Sequence, residues 1–132
     1  YSSIERIHDK SFNGLLHINQ LYLDNNKIKS LNKSLSKLTS LKILDLSNNE
    51  IIYISNEDFE GLLSLTDLKL NSNKIKLFEY TNVSSIFPNL ISIHLKNMTI
   101  EFIEKFNLNG LENLEEIDLS ENNLRLFNIY SN

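Results

Sequence analysis

The sequence predicts an α/β solenoid, with a parallel β-sheet on its concave side and irregular or 3₁₀ segments on its convex side. A pattern with Leu or Ile at positions 1, 4, 6 and 11 occurs five times, starting at residues 18, 41, 65, 90 and 114, and four copies carry Asn at position 9. The copies are spaced by 23, 24, 25 and 24 residues. A fixed period of this size is typical of units that bury an apolar face only by stacking on their neighbours.

The array is expected to occupy the whole chain, 1–132, as one domain. Because the end units of a solenoid need a cap and neither end of this sequence carries a capping motif or a cysteine, we expect an excerpt of a longer solenoid. The units are a partial repeat 1–17, repeats 18–40, 41–64, 65–89 and 90–113, and a partial repeat 114–132.

Short strands are predicted where apolar and polar residues alternate, as in Leu21-Tyr22-Leu23 and Leu44-Asp45-Leu46. Units that repeat in one direction must place these strands in parallel, about 4.8 Å apart. The last apolar residue of each strand segment is then expected to face the interior: Leu23, Leu46, Leu70, Leu95 and Leu119.

A row of asparagines is predicted at the bend that follows each strand. A side-chain amide both donates and accepts, so stacked asparagines can satisfy backbone groups that each cost roughly 1–3 kcal/mol when buried without a partner. Met98 interrupts the row, and there we expect a rearranged turn, with either Asn97 or water filling the gap. The row consists of Asn26, Asn49, Asn73 and Asn122.

These residues resemble the leucine-rich repeat superfamily over essentially the whole chain. The segments Phe12–Leu15, Phe59–Leu62 and Leu108–Leu111, which hold all three glycines, resemble the typical subclass of about 24 residues, found in Toll-like receptor ectodomains and secreted immune proteins. The resemblance implies a right-handed superhelix that acts as a non-catalytic protein-recognition module in an extracellular receptor or in a secreted immune or adhesion protein. The alternatives are an intracellular scaffold and a purely structural spacer.

The charge of the chain bears on its partners. The formal net charge is −4, with lysines and carboxylates interspersed along the units. Nucleic acid is therefore not an expected partner, because it is bound through a basic stripe, and direct contact with an anionic membrane is disfavoured. No cofactor is predicted. The expected partner is a protein ligand or a second copy of the chain.

Outward strand positions form the first candidate binding surface, on the concave sheet. A sheet backed by stacked units holds its side chains in place, which lowers the entropic cost of binding. The alternative is a solvated face on which Asp45 pairs with Lys69 and His94 with Asp118. The central column consists of Tyr22, Asp45, Lys69, His94 and Asp118.

A second candidate surface is the lateral edge beyond the strands. Apolar residues occupy four of five equivalent positions there, and a contiguous apolar strip often marks an interface with a partner or a second copy. The alternative is that these side chains close the core of the turn. They are Tyr53, Leu77, Phe102 and Leu126.

No catalytic or metal centre is predicted. Ser92 and His94 lie about 6–7 Å apart on one face, and strand amides used in the ladder supply no oxyanion donors. A metal site from His94, Asp118 and Glu116 would be three exposed ligands on a flat sheet, which bind weakly.

Candidate glycosylation sites are Asn32, Asn82 and Asn97, each in an Asn-x-Ser/Thr sequence. Asn82, on the convex insertion, is the favoured carrier, and a glycan there on expression in a secretory host would favour the extracellular alternative over the cytoplasmic one. The chain has 20 Asn and 20 Ser or Thr, so chance alone predicts about three such sequences, and they bear little on localisation.

Overall fold

The computed structural model describes residues 3–75, 77–78, 83–100 and 110–125, and it confirms a parallel-strand solenoid. Each unit from residue 18 onward contributes one three-residue strand to the main sheet, in the chain order of the units. The strands are β1 (Gln20–Tyr22), β2 (Ile43–Asp45), β4 (Asp67–Lys69), β6 (Ser92–His94) and β7 (Glu116–Asp118).

The main sheet is parallel and in register from end to end. Leu21 pairs with Leu44, Leu44 with Leu68, and the same position continues through Ile93 to Ile117. Side chains alternate between the two faces of a strand, so this register buries one apolar column and leaves the residues on either side of it on the opposite face. Leu44 and Leu68 are fully buried and Ile93 is nearly so.

The core runs as one continuous column through the units. Of the leucines predicted to face inward, Leu23, Leu46, Leu70 and Leu95 are buried, and Leu119 packs partly buried against them. On the convex side Phe59 and Phe87 extend the column, with ring centroids 5.2 Å apart.

The return segments differ from the irregular or 3₁₀ form expected. Two of them contain a single α-helical turn, α1 (Asn56–Phe59) and α2 (Val83–Ile86), while the segments after β1 and β6 show none among the described residues. In α1 the Ser55 amide donates to the Asp58 carboxylate, which closes the first turn. Asp58 also accepts from the Lys33 amide of the preceding unit, 3.1 Å away, and so links two units on the convex side.

A second, two-stranded parallel sheet lies beyond the main one, along the lateral edge. It consists of β3 (Tyr53–Ile54) and β5 (Leu77–Phe78), with Tyr53 paired to Leu77. The sequence pattern predicts only a column of residues at these positions, not a second sheet.

The asparagines form the predicted row and join neighbouring units. Asn49 donates from Nδ2 to the carbonyls of Leu46, in its own unit, and Leu23, in the preceding one, at 3.0 and 2.9 Å. Its Oδ1 accepts from the Ile28 amide at 3.0 Å. Asn73 and Asn122 repeat these bonds one and three units further on.

The turn at Met98 is rearranged, as predicted. Thr99 adopts a positive φ of 57°, which no equivalent residue of the other units shares. Asn97 does not substitute for the asparagine that the row lacks at Met98, because its side chain is exposed and donates to Ser72 Oγ instead. Asn122 Oδ1 accepts from the amides of both Met98 and Ile100, at 2.8 and 3.0 Å, and ties the irregular turn to the next unit.

The residue directly before each position of the asparagine row, including Met98, adopts left-handed backbone geometry. The φ values lie between 55° and 59° at Asn25, Asn48, Ser72, Asn97 and Glu121. Asparagine tolerates this region better than other non-glycine residues, which explains its use at three of the five positions.

Glu121→Asn is therefore expected to stabilise the fold. Asparagine should relieve about 0.5 to 1 kcal/mol of backbone strain, and the lost ion pair with Lys96 is solvent-exposed and weak. The free energy of unfolding measured in urea should rise. Glu112→Asn removes the same charge from an exposed position without a positive φ, and an equal gain there would contradict the explanation.

Candidate functional site

The sheet register places all five residues of the central column side by side on the concave face. Tyr22 pairs with Asp45, Asp45 with Lys69, Lys69 with His94, and His94 with Asp118. Tyr22 is 53% exposed, and the other four are partly buried between neighbouring columns. Each strand is bonded to its neighbour and backed by the core, so these side chains stand on a rigid surface.

Two carboxylates of this column, on β2 and β7, are held in the same way. The Ser47 amide donates to Asp45 Oδ1 at 2.9 Å, and the Ser120 amide donates to Asp118 Oδ1 at 2.9 Å. The Ser120 hydroxyl adds a second bond to the same oxygen, at 2.6 Å. The repeated sequence Asp-Leu-Ser produces both arrangements, because a short acidic side chain bonds the backbone two residues on. Each carboxylate is oriented before any ligand arrives.

The hydrogen bonds from Ser120 also lower the pKa of Asp118. The hydroxyl bond is the main cause, followed by the backbone bond and then by the nearby charges of His94 and Lys96. A carboxylate that accepts hydrogen bonds is stabilised in its charged form. Asp118 therefore stays ionised below the pH at which a free aspartate takes up its proton.

Ser120→Ala is expected to raise the pKa of Asp118 toward its ordinary value. In the native protein the lowered pKa stabilises the fold above the unfolded pKa, at about pH 4, and this contribution is lost as the pH falls through the folded pKa. The carboxyl carbon of Asp118 can be followed by NMR from pH 2 to 6. An unchanged Asp118 titration in the variant would show that Ser120 does not hold the carboxylate.

Asp67 joins two neighbours on β6 and changes the pairing expected there. Ser92 donates its hydroxyl to Asp67 Oδ1, and His94 Nε2 lies 3.6 Å from the same oxygen. The expected partner of His94, Asp118, instead binds Ser120. The Asp45–Lys69 pair is also absent from the ion pairs of the described residues. Neither expected pair lies within ion-pair distance among the described residues, although the charge of His94 still contributes to the lowered pKa of Asp118.

Tyr22 is also held in place. Its hydroxyl donates to Gln20 Oε1 at 3.2 Å, along the same strand and on the same face. The bond positions an exposed aromatic ring beside Asp45. Sequence reasoning identified Tyr22 but missed this bond and the role of Asp67, because both depend on rotamers.

The concave face offers no activated nucleophile among the described residues. The Ser92 hydroxyl is directed to a carboxylate rather than to His94, and Ser92 is 8% exposed. No group of three or more His, Asp or Glu side chains in the described ranges is placed to hold a metal ion. The chemistry available here is recognition through charge, hydrogen bonds and one aromatic ring.

The lateral edge is exposed where the structure describes it. Tyr53 is 54% exposed and Ile52 beside it is 53% exposed, so Tyr53 does not fold over to close the core. Leu77 lies in β5 next to Tyr53, but its side chain is not among those described. Phe102 and Leu126, predicted for the same edge, lie outside the described residues.

The candidate glycosylation sites fall in different surroundings. The exposed Asn32 donates from Nδ2 to the Ile7 carbonyl at 2.9 Å. Asn97 is exposed beside Ser72. Asn82 lies outside the described residues.

A groove that sequence reasoning missed lies along the edge where β4, β6 and β7 begin. It has a volume of about 510 Å³ and is open to solvent. It arises only from the stacking of successive units, so no sequence motif predicts it. Its lining includes Ser64, Thr66, Asn89, Ile91, Asn113 and Glu115.

These features define a repeat protein with a rigid, preformed concave face, and comparison with known proteins gives its family. The leucine rich repeat family model matches residues 1–51 and 32–75, more than half of the chain. The chain therefore belongs to the leucine-rich repeat family, whose domains are protein-interaction modules and are generally not enzymes. No curated protein sequence matches it significantly.

Two solved structures have the same fold. An internalin (InlF) from Listeria monocytogenes is 28% identical, with a TM-score of 0.74, and the match covers 94% of this chain and 34% of the internalin. TLR13 in its complex with ssRNA13 is 23% identical, with a TM-score of 0.53, over 92% of this chain and 24% of TLR13. The chain thus spans about a third and a quarter of these proteins. Within its described part, no helix is long and apolar enough to cross a bilayer.

Proposed function

We propose that this chain is a non-catalytic recognition module that binds a protein ligand on its concave face, as part of an extracellular or cell-surface protein. The observation that carries the proposal is the central column, in which Tyr22, Asp45 and Asp118 are each fixed by a hydrogen bond within the chain. Side chains fixed before binding lose little entropy when a partner docks. A surface that served only as a spacer has no use for such positioning.

The surface location draws its support from the solved relatives. One is an internalin from Listeria monocytogenes and the other a Toll-like receptor. In both, the match covers only a segment of a longer chain. An intracellular scaffold is the second candidate, because the match to the leucine rich repeat family by itself specifies no cellular location.

Site-directed photo-crosslinking tests the binding face. A photoreactive amino acid replaces Lys69 on the concave face, or Lys37 on an exposed part of the convex return segment, in the full-length protein in the cells that make it. We expect a discrete adduct with a protein from position 69 and none from position 37. Adducts from position 37 alone, or from neither position, would contradict concave recognition.

The location is tested separately. Intact cells that make the full-length protein are treated with a membrane-impermeant biotin reagent. Labelling before lysis is the expected result, with a cytosolic enzyme as the negative control. Labelling only after lysis would replace the extracellular proposal with the intracellular scaffold.

A further inference from the structure

The charges of the concave face are unbalanced. The central column and the positions two residues before and two residues after it form three outward columns. They carry the carboxylates of Asp24, Asp45, Asp67, Glu116 and Asp118 against two lysines, Lys69 and Lys96. Lys96 forms a weak, solvent-exposed ion pair with Glu121, 3.8 Å away, which leaves Lys69 as the lysine of the central column. A low-dielectric sheet lined mainly by one sign of charge attracts a ligand of the opposite sign.

Tyr22 and Asp45 together form a place for one cation. They are direct neighbours on β1 and β2, with Tyr22 held by Gln20 and Asp45 held by the Ser47 amide. The Ser47 amide donates to Oδ1 of Asp45, which leaves Oδ2 for a ligand. A guanidinium or ammonium group gains from both a carboxylate and the face of an exposed aromatic ring.

Asp118 provides a second place for a cation at a defined distance. It lies three strand steps from Asp45 in the same column, which corresponds to about 14 Å. An extended peptide advances about 3.3 Å per residue and directs every second side chain to the same side. Residues i and i+4 of such a peptide are thus about 13 Å apart and match the two carboxylates.

Lys69 determines which ligand charge is favoured between Asp45 and Asp118. It is one strand step from Asp45 and two from Asp118, without an ion pair to either among the described residues. A basic ligand residue opposite Lys69 would be repelled, whereas an acidic one would be attracted. Position i+2 of an extended segment faces this part of the column.

We propose that the protein ligand of the concave face docks through an extended segment with the alternating charge pattern basic-x-acidic-x-basic, laid across the strands. The first basic side chain sits between Tyr22 and Asp45, the acidic one faces Lys69, and the second basic one binds Asp118. This inference rests on the proposed function and names the chemistry of its partner.

Two labelled peptides of identical composition test the pattern. One carries Arg-Ala-Glu-Ala-Arg between glycines, and the other carries Arg-Arg-Ala-Ala-Glu. Binding to the full-length chain is measured by fluorescence polarisation at 50 mM and 500 mM salt. The alternating peptide is expected to bind at least about fivefold more tightly, and high salt should weaken its binding. Equal binding of the two peptides would overturn the proposal.

Variants locate the contact. Asp45→Asn is expected to weaken binding of the alternating peptide about tenfold, since a charge-assisted bond is lost, and Tyr22→Ala by a few fold. Asp9→Asn removes the same charge from the exposed convex side and should have no effect. Equal losses for Asp45→Asn and Asp9→Asn would overturn the proposal. Circular dichroism confirms that each variant is folded.

Three further outcomes distinguish a failure of this inference from a failure of the proposed function. Tighter binding of a single-stranded oligonucleotide than of the alternating peptide would overturn the basic-ligand inference and favour an anionic partner. A protein adduct at position 69 together with equal binding of both peptides would overturn the charge pattern alone and leave concave recognition standing. The absence of any adduct at position 69 would contradict both the charge pattern and recognition by the concave face.

Discussion

Asn49→Ala is expected to lower the free energy of unfolding by about 3 to 5 kcal/mol. Asn49 is 8% exposed, donates to the carbonyls of Leu23, Leu46 and Ser47, and accepts from the Ile28 amide. Alanine would leave at least two of these buried backbone groups without partners, at roughly 1–3 kcal/mol each. Urea unfolding followed by circular dichroism measures the loss.

Asn48→Gly is the matched control. Asn48 is the exposed residue directly before Asn49, and glycine keeps its positive φ of 55° without strain. We expect a change below about 0.5 kcal/mol, as is usual for exposed positions. Similar losses in the two variants would mean that the asparagine row does not hold the units together.

Gly61→Ala should have the second-largest effect, a loss of about 3 kcal/mol. Gly61 adopts a φ of 93°, and an added Cβ would lie 2.5 Å from the Ser36 carbonyl oxygen of the preceding unit. The clash involves backbone on both sides, so it is relieved only by shifting one unit against the next. Overpacking of this kind costs about 1–3 kcal/mol beyond the strain of the left-handed backbone.

Gly14→Ala separates the two contributions. Gly14 has nearly the same φ, 89°, but an added Cβ there meets nothing within 4 Å. Its expected cost is the backbone strain alone, about 1–2 kcal/mol. Thermal and urea unfolding of both variants should show the larger loss at Gly61, and equal losses would contradict the close approach of the two units.

The sequence was sufficient to predict the sheet because its signal is local and repeated. Alternation around Leu44 identifies a strand, and the period from one unit to the next requires the parallel pairing that joins Leu44 to Leu21 and Leu68. The asparagine row follows from the same repetition. Helix α1 was missed because a single turn leaves no periodicity to detect.

The candidate site was predicted in position but not in its contacts. The register of the strands places Tyr22 beside Asp45 whatever their rotamers are. The bond of Ser92 to Asp67 depends instead on side-chain rotation, and so does the approach of His94 to that carboxylate. Adjacent positions therefore suggested the wrong partner for His94.

Disulfide trapping most directly tests the claim that the concave column stands in register on neighbouring parallel strands. The chain has no cysteine of its own, so pairs can be introduced cleanly. Lys69→Cys with His94→Cys joins direct neighbours about 4.8 Å apart, a distance that a disulfide spans, whereas Lys69→Cys with Lys96→Cys is offset by two residues, to about 8 Å. We predict rapid oxidation of the first pair and little of the second. Equal oxidation of both pairs, or preference for the offset pair, would contradict the arrangement on which the proposed recognition depends.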